Sequence, residues 1–198
     1  MAAERHLTKL REKVWFHGSP RPRFDAFDPS VLGSGNDELG SGFYFTDSYA
    51  TALGYAGPAG WVYETSLAIA NPLTADADLP PAVIEALIRE APGFEEGLEN
   101  WGETDFEGQQ NVLRRACAAY VGQCRAIDGA FSALNALSGD FWGGHEAAFL
   151  EAAQRLTGYD GLVRRVGGET HAVAWSAASI VILDVRPSSR DQAPRFSV

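Results

Sequence analysis

The residues of this chain best suited to chemistry are a histidine and a tyrosine, each set in a short apolar run beside glycine. They lie in Trp15-Phe16-His17-Gly18-Ser19 and Gly42-Phe43-Tyr44-Phe45-Thr46-Asp47. A hydrogen-bonding aromatic on an apolar strand suits a cleft that grips a flat, polar small molecule. Without a Cβ, Gly18 can bring its own N–H and C=O close to an amide that any larger residue would hold off. His17 can donate or accept according to its tautomer, which fits a sugar hydroxyl. Tyr55, eleven residues after Tyr44, is a second aromatic of the same kind. Two rings facing across a slot hold a planar group between them, each contact contributing roughly 0.5–1.5 kcal/mol beyond area burial.

A second set of reactive side chains stands near the other end of the chain, where Gly161 to Val166 and Glu169 to Trp175 read as strands joined by a Gly167-Gly168 turn. Glu169 and His171 are two residues apart, so on an extended strand they point to one face, separated by roughly 6–7 Å. Glu64, on a strand expected from Trp61 to Ala68, is a third carboxylate and is read as facing outward.

The elements that must position these groups follow from pattern. Strands are expected at residues 13–19, 43–46, 61–68 and 179–185, and Asp47 or Ser48 is placed to cap a helix from Tyr49 to Tyr55. The segment 23–42 has the composition of an irregular loop anchored by Phe24 and Phe27, and Asn71-Pro72-Leu73 is read as closing the third strand. Between about 80 and 157 the character changes, with helices expected at 81–90, 107–124, 126–137 and 145–156. The reading is α+β: one domain over 1–198, with strands from both ends of the chain meeting around one core and a central helical insertion. Phe94, Trp101, Phe106, Phe141 and Trp142 of that insertion serve either as core anchors or as an exposed working surface.

Composition narrows the function classes. With 198 residues, 45% of them hydrophobic, the chain can bury one sizeable core. A net charge of −10 argues against coating nucleic acid through a broad basic face. Anionic ligands would approach near Lys9, Arg11, Lys13, Arg21 and Arg23, or near Arg164 and Arg165. Met1 to His6 lacks the apolar stretch of a secretory signal and no run is long enough to span a bilayer, so a soluble, cytoplasmic protein is expected. Cys117 and Cys124 sit two helical turns apart, too far for a disulfide, and read as buried free thiols. The four histidines, His6, His17, His145 and His171, are scattered, and no metal site is expected.

The two aromatic motifs, in this order and spacing, resemble the ADP-ribosyltransferase fold of the diphtheria-toxin and poly(ADP-ribose) polymerase lineage, whose signature is His, Tyr and Glu on three core strands. The chain looks closest to the small prokaryotic and phage-borne members. The resemblance implies a split antiparallel sheet and NAD as co-substrate without a metal. It implies that His17 bonds a ribose hydroxyl, that the Gly18 backbone holds the nicotinamide carboxamide, and that Tyr44 and Tyr55 pack against the ring. Gly158-Tyr159-Asp160-Gly161-Leu162 and Ala172-Val173-Ala174-Trp175-Ser176 carry the likeness into the C-terminal strands. Aligned there, the family's catalytic glutamate position is filled by His171. Glu169 has the right chemistry two residues early, a register that one bulge at the Gly167-Gly168 turn could correct. Where many relatives have a carboxamide-binding serine, eight residues after Tyr44, this chain has Ala52, and Ser19 is the candidate substitute.

The reaction so implied is cleavage of the nicotinamide–ribose bond and transfer of ADP-ribose to a protein or nucleic-acid acceptor. A carboxylate bonded to the ribose would strengthen its hold as oxocarbenium charge develops. An NAD glycohydrolase and a non-catalytic NAD or ADP-ribose binding module are the alternatives. The biological setting the resemblance implies is a toxin, an effector delivered into a target cell, or a phage-encoded modifier, with an inhibitor or antitoxin protein as partner.

Overall fold

In a computed structural model, residues 13–32, 40–94, 106–126 and 128–189 are described, and within them seven strands form one sheet in the order β4-β5-β6-β2-β1-β3-β7. The strands are β1 (Trp15–Ser19), β2 (Phe43–Thr46), β3 (Trp61–Leu67), β4 (Pro72–Leu73), β5 (Gly161–Val166), β6 (Glu169–Ala174) and β7 (Ile180–Pro187). The helices are α1 (Tyr49–Ala56), α2 (Pro81–Arg89), α3 (Phe106–Cys124), α4 (Gly129–Phe141) and α5 (Glu146–Thr157). The α+β architecture, with strands from both ends of the chain flanking a helical middle, is as the sequence indicates.

The sheet is split at its centre. β1 pairs with β3 through all five of its residues, and β2 pairs with β6 through all four of its own. β1 and β2 meet at a single register pair, Phe16 with Thr46, and then part. Side-chain alternation sorts the residues onto two faces. Trp15, Phe43, Phe45, Leu67, Ala172 and Ala174 join Phe27 in a core on one face. On the other, Val173, Leu162, Leu73 and Trp175 pack with α2 to α5 in the larger core. α1 lies against the second face over β1, where Ala52 and Ala56 are buried and Tyr49 meets Phe16 edge-on at 5.5 Å.

α1 forms where the sequence signals it. Ser48, extended at the N-cap, accepts the Thr51 N–H at 3.2 Å, and Gly57 with φ of 67° ends the helix. Asn71-Pro72-Leu73 does more than close β3: Pro72 and Leu73 pair in parallel with Gly161 and Leu162. Two residues carry no periodicity, so the pairing comes from elsewhere. The Asp160 carboxylate accepts the Ala70 and Asn71 N–H groups at 2.7 and 2.8 Å and draws this segment beside β5.

The helix expected at 126–137 is shifted to 129–141. Asp128, with φ of 59°, marks a break before it, and a Cβ on Gly129 would lie 2.0 Å from the Gln123 carbonyl oxygen, so the chain turns tightly there. Of the aromatics in this segment, Phe141 and Trp142 are core anchors. Both are buried, and the Trp142 indole donates to the Leu87 carbonyl at 2.9 Å. Phe94 packs partly buried on the same core, while Trp101 and the Phe106 side chain lie outside the described residues. Cys124 is buried, Cys117 half-buried, and both are free thiols. No described helix is long and apolar enough to cross a membrane.

Candidate functional site

The parting of β1 and β2 opens a cleft of about 420 Å³. His17, Gly18 and Ser19 line it from β1, Gly42, Phe43 and Tyr44 from β2, and Phe24, Phe27 and Leu32 from the intervening loop. The two loop phenylalanines are anchored as their composition suggests. Phe24 stacks on Tyr63 with centroids 4.1 Å apart and its N–H donates to the Tyr63 hydroxyl, while Phe27 packs edge-on to Phe43.

His17 bridges the two strands at the cleft. Its ring is packed by Phe24, Phe27, Phe45 and Tyr63. Its Nδ1 lies 2.8 Å from the Tyr44 carbonyl oxygen across the gap, where a backbone ladder bond would otherwise stand. Because a carbonyl can only accept, Nδ1 carries the proton and Nε2 is left with a lone pair to receive a hydroxyl. Burial pushes the imidazole pKa down, against a smaller upward effect of the Tyr44 bond, so the neutral form is favoured.

Tyr44 and His17 lie on opposite faces and meet through the backbone of β2. The Tyr44 hydroxyl donates to the Gly40 carbonyl at 2.6 Å, which fixes the ring against the larger core. Gly18 has α1 directly over it: a Cβ would fall 1.8 Å from the Ala52 carbonyl oxygen and 2.8 Å from the Ala56 nitrogen. Close approach is therefore required at Gly18 for helix packing, quite apart from any ligand. Gly42, with φ of 147°, has an equally tight seat, a Cβ there meeting Val173 at 2.2 Å. Ser19 is buried and its hydroxyl accepts the Arg21 N–H at 3.2 Å.

Tyr55, Glu169 and His171 are not among the residues lining this cleft. Tyr55 stands at the C-terminal end of α1, 65% exposed. His171 is opposite Thr46 on β2 and Arg164 on β5, so it shares the face of Tyr44 and Val173. Glu169 is on that face too, its carboxylate 3.8 Å from His171 Nε2. The same carboxylate accepts the Thr51 hydroxyl of α1 at 2.7 Å. The Thr51 bond first, then one from Ser48 and the charge of His171, hold the Glu169 pKa below the usual value, with desolvation and Asp47 opposing. Thr51 is a residue that reading the sequence missed. Its signal was a hydroxyl three positions after the cap at Ser48, on the same turn.

The basic residues are mostly engaged. Lys13 pairs with Asp47 beside Thr170, Arg23 with Asp25 at 3.7 Å, and Arg164 with Asp128 at 2.7 Å, while Lys9 and Arg11 lie outside the described residues. Glu64 is half-buried and faces Arg186 at 3.4 Å. Among the described residues, no group of three His, Cys, Asp or Glu side chains comes together as a metal site.

A sheet split between its histidine and tyrosine strands is what the resemblance to the ADP-ribosyltransferase fold implies. The chain belongs to the family described as ADP-ribosyltransferase in polyvalent proteins, whose model matches residues 11–181. No curated protein and no solved structure matches it.

Proposed function

We propose that the protein is a mono-ADP-ribosyltransferase that takes NAD into the cleft between β1 and β2 and passes ADP-ribose to a protein or nucleic-acid acceptor. The observation that carries this reading is the His17 bridge. One ring nitrogen is spent on the Tyr44 carbonyl, and the other is held unprotonated toward a ribose hydroxyl at a cleft lined by Gly18 and Tyr44. In the reaction the nicotinamide nitrogen leaves with the electron pair of its bond to the ribose C1′. The acceptor nucleophile bonds to C1′ and loses its proton. No metal is required for this chemistry.

Glu169 is assigned the carboxylate role, stabilising positive charge on the ribose as the bond breaks. His171 shares its face and is the second candidate for that position. Tyr44 and Tyr55 orient the nicotinamide, a positioning effect. The helices between residues 81 and 157 select the acceptor, or the inhibitor protein of a toxin or effector. A non-catalytic NAD-binding module is the second reading, favoured by the imidazole opposite Thr46 and by a cleft lining that leaves out Glu169 and His171.

Incubation with NAD labelled on the adenylate phosphate, alone and with protease- or nuclease-treated cell extract, tests these readings. Label moving to a macromolecule, and lost in Glu169→Gln and Tyr44→Ala, supports transfer. Free ADP-ribose formed without extract means hydrolysis. NAD binding with no nicotinamide released under any condition means a binding module.

A further inference from the structure

We propose that Thr51 is a positioning residue for the Glu169 carboxylate, and that α1 fixes the distance between that carboxylate and the cleft. The inference rests on the assignment of Glu169 above. α1 touches both places. Its Ala52 and Ala56 sit directly on Gly18, where backbone contacts leave no slack, and the residue before Ala52 is Thr51, whose hydroxyl donates to Glu169 Oε2 at 2.7 Å.

Ser48 sets the turn that presents Thr51. Its hydroxyl oxygen caps α1 by accepting the Thr51 N–H, which fixes the residue whose hydroxyl meets Glu169. The first turn of α1 therefore grips a carboxylate from β6, in the other half of the split sheet and 118 residues later in sequence. Glu169 needs such a grip. It is the first residue of β6, beside the Gly167-Gly168 turn, where its backbone pairs with Val166. A side chain 37% exposed at a strand end keeps its rotamer freedom unless something fixes it. A hydroxyl donating to an ionised carboxylate is a short, directional bond of the stronger kind.

The charged groups around Glu169 are few. His171 lies on its own strand and Asp47 at the β2–α1 junction, the latter paired with Lys13. On β5, Arg164 is engaged by Asp128, and Arg165 is opposite Thr170. None of these makes the bond that Thr51 makes, so its removal should be felt both in the titration of Glu169 and in turnover.

Thr51→Val keeps the shape of the side chain and removes only the donor, and Thr51→Ser restores it. The first readout needs no activity. In protein carrying ¹³C at glutamate side-chain carboxyls, the Glu169 resonance is identified by its loss in Glu169→Gln. Its titration midpoint should rise in Thr51→Val and return toward the wild-type value in Thr51→Ser. The second readout is nicotinamide release: kcat in Thr51→Val should fall roughly tenfold, on the scale of one charge-assisted hydrogen bond, with the acid limb of its pH profile moved upward and KM for NAD little changed. An unchanged midpoint, or unchanged kcat and pH profile in Thr51→Val while Glu169→Gln is inactive, overturns the role of Thr51 and leaves the assignment of Glu169 standing. Full activity in Glu169→Gln overturns both.

Discussion

Replacing Gly18 with alanine should displace α1 and weaken the whole protein. The added Cβ would lie 1.8 Å from the Ala52 carbonyl oxygen, and ordinary van der Waals contact begins near 3.4 Å, so that oxygen must retreat by about 1.6 Å. Neither obstacle is a flexible side chain: the Ala52 carbonyl and the Ala56 nitrogen are both backbone of α1, so the helix must move as a unit. Its retreat opens the contacts of Ala52, Ala56 and Val62, which form a small core of their own, and pulls Tyr49 from Phe16. Overpacking of a tight site costs about 1–3 kcal/mol, and a rigid backbone obstacle puts Gly18→Ala near the upper end. With a urea m-value of about 2 kcal/mol per M, the unfolding midpoint should drop by roughly 1.5 M.

Gly54→Ala is the matched control. It lies in the same helix, is exposed, and a Cβ there meets nothing within 4 Å, so it should stabilise by about 0.5–1 kcal/mol through helix propensity alone. Urea unfolding followed by far-UV circular dichroism reads both variants, and isothermal titration with NAD reads the cleft. Equal midpoints for wild type and Gly18→Ala would refute the seating of α1 on β1. The argument that α1 sets the distance from cleft to carboxylate would fall with it.

His17→Asn should change the pH dependence of stability. The folded imidazole has its pKa lowered by burial from an ordinary 6.5, so the unfolded chain binds a proton first as pH falls. The contribution is complete above about 6.5 and is lost progressively from there toward the lower folded value. An amide can still donate to the Tyr44 carbonyl but does not titrate, so thermal unfolding of His17→Asn should show a flatter profile below that pH than wild type, together with weaker NAD binding. A parallel decline in the two proteins would count against the neutral buried imidazole. Asp160→Ala removes the acceptor of two backbone N–H groups and should cost about 1.5–3 kcal/mol by chemical denaturation, since bonds to a charged group are the stronger kind. Asp160→Asn, with one carbonyl oxygen left, should lose less. Equal losses in the two variants would show that the clamp is not what the carboxylate supplies.

How much of this was legible before the structure depended on how far apart the interacting residues lie in sequence. Strand β2 and helix α1 are set by signals within a few residues of each other: alternating apolar side chains, then a serine cap, then Gly57 at the C-terminus. The shared face of Glu169 and His171 follows from strand periodicity alone, and the two side chains come within 3.8 Å. In Gly158-Tyr159-Asp160-Gly161-Leu162, the two glycines have backbone reasons: Gly158 ends α5 with φ of 76°, and Gly161 starts β5 where a Cβ would meet the Val173 carbonyl oxygen at 2.7 Å. Asp160, by contrast, acts on Ala70 and Asn71, some 90 residues earlier, and only the fold brings them together.

The split in the sheet was implied by the family resemblance and by no local signal, and it is the feature that makes the site. Nothing in the composition of β1 or β2 says that two apolar strands, both well formed, should share one pair and then separate. Two local demands account for it. Gly18 must pass beneath the backbone of α1, and Gly42 must take a φ of 147° where a Cβ would meet Val173 at 2.2 Å. Each glycine commits its strand to a neighbour on the side away from the other strand: Gly18 pairs with Val62 on β3, and Gly42 leads into Phe43, which pairs with Ala174 on β6. The edges between them are left without a ladder past Phe16 and Thr46, and His17 spans the gap with a side chain where backbone would have served. A histidine is suited to that place because one ring nitrogen can donate to the Tyr44 carbonyl while the other remains to meet a ligand. An alanine at 17 would lose both functions at once. His17→Asn separates them, because it can keep the first while losing the ring geometry of the second.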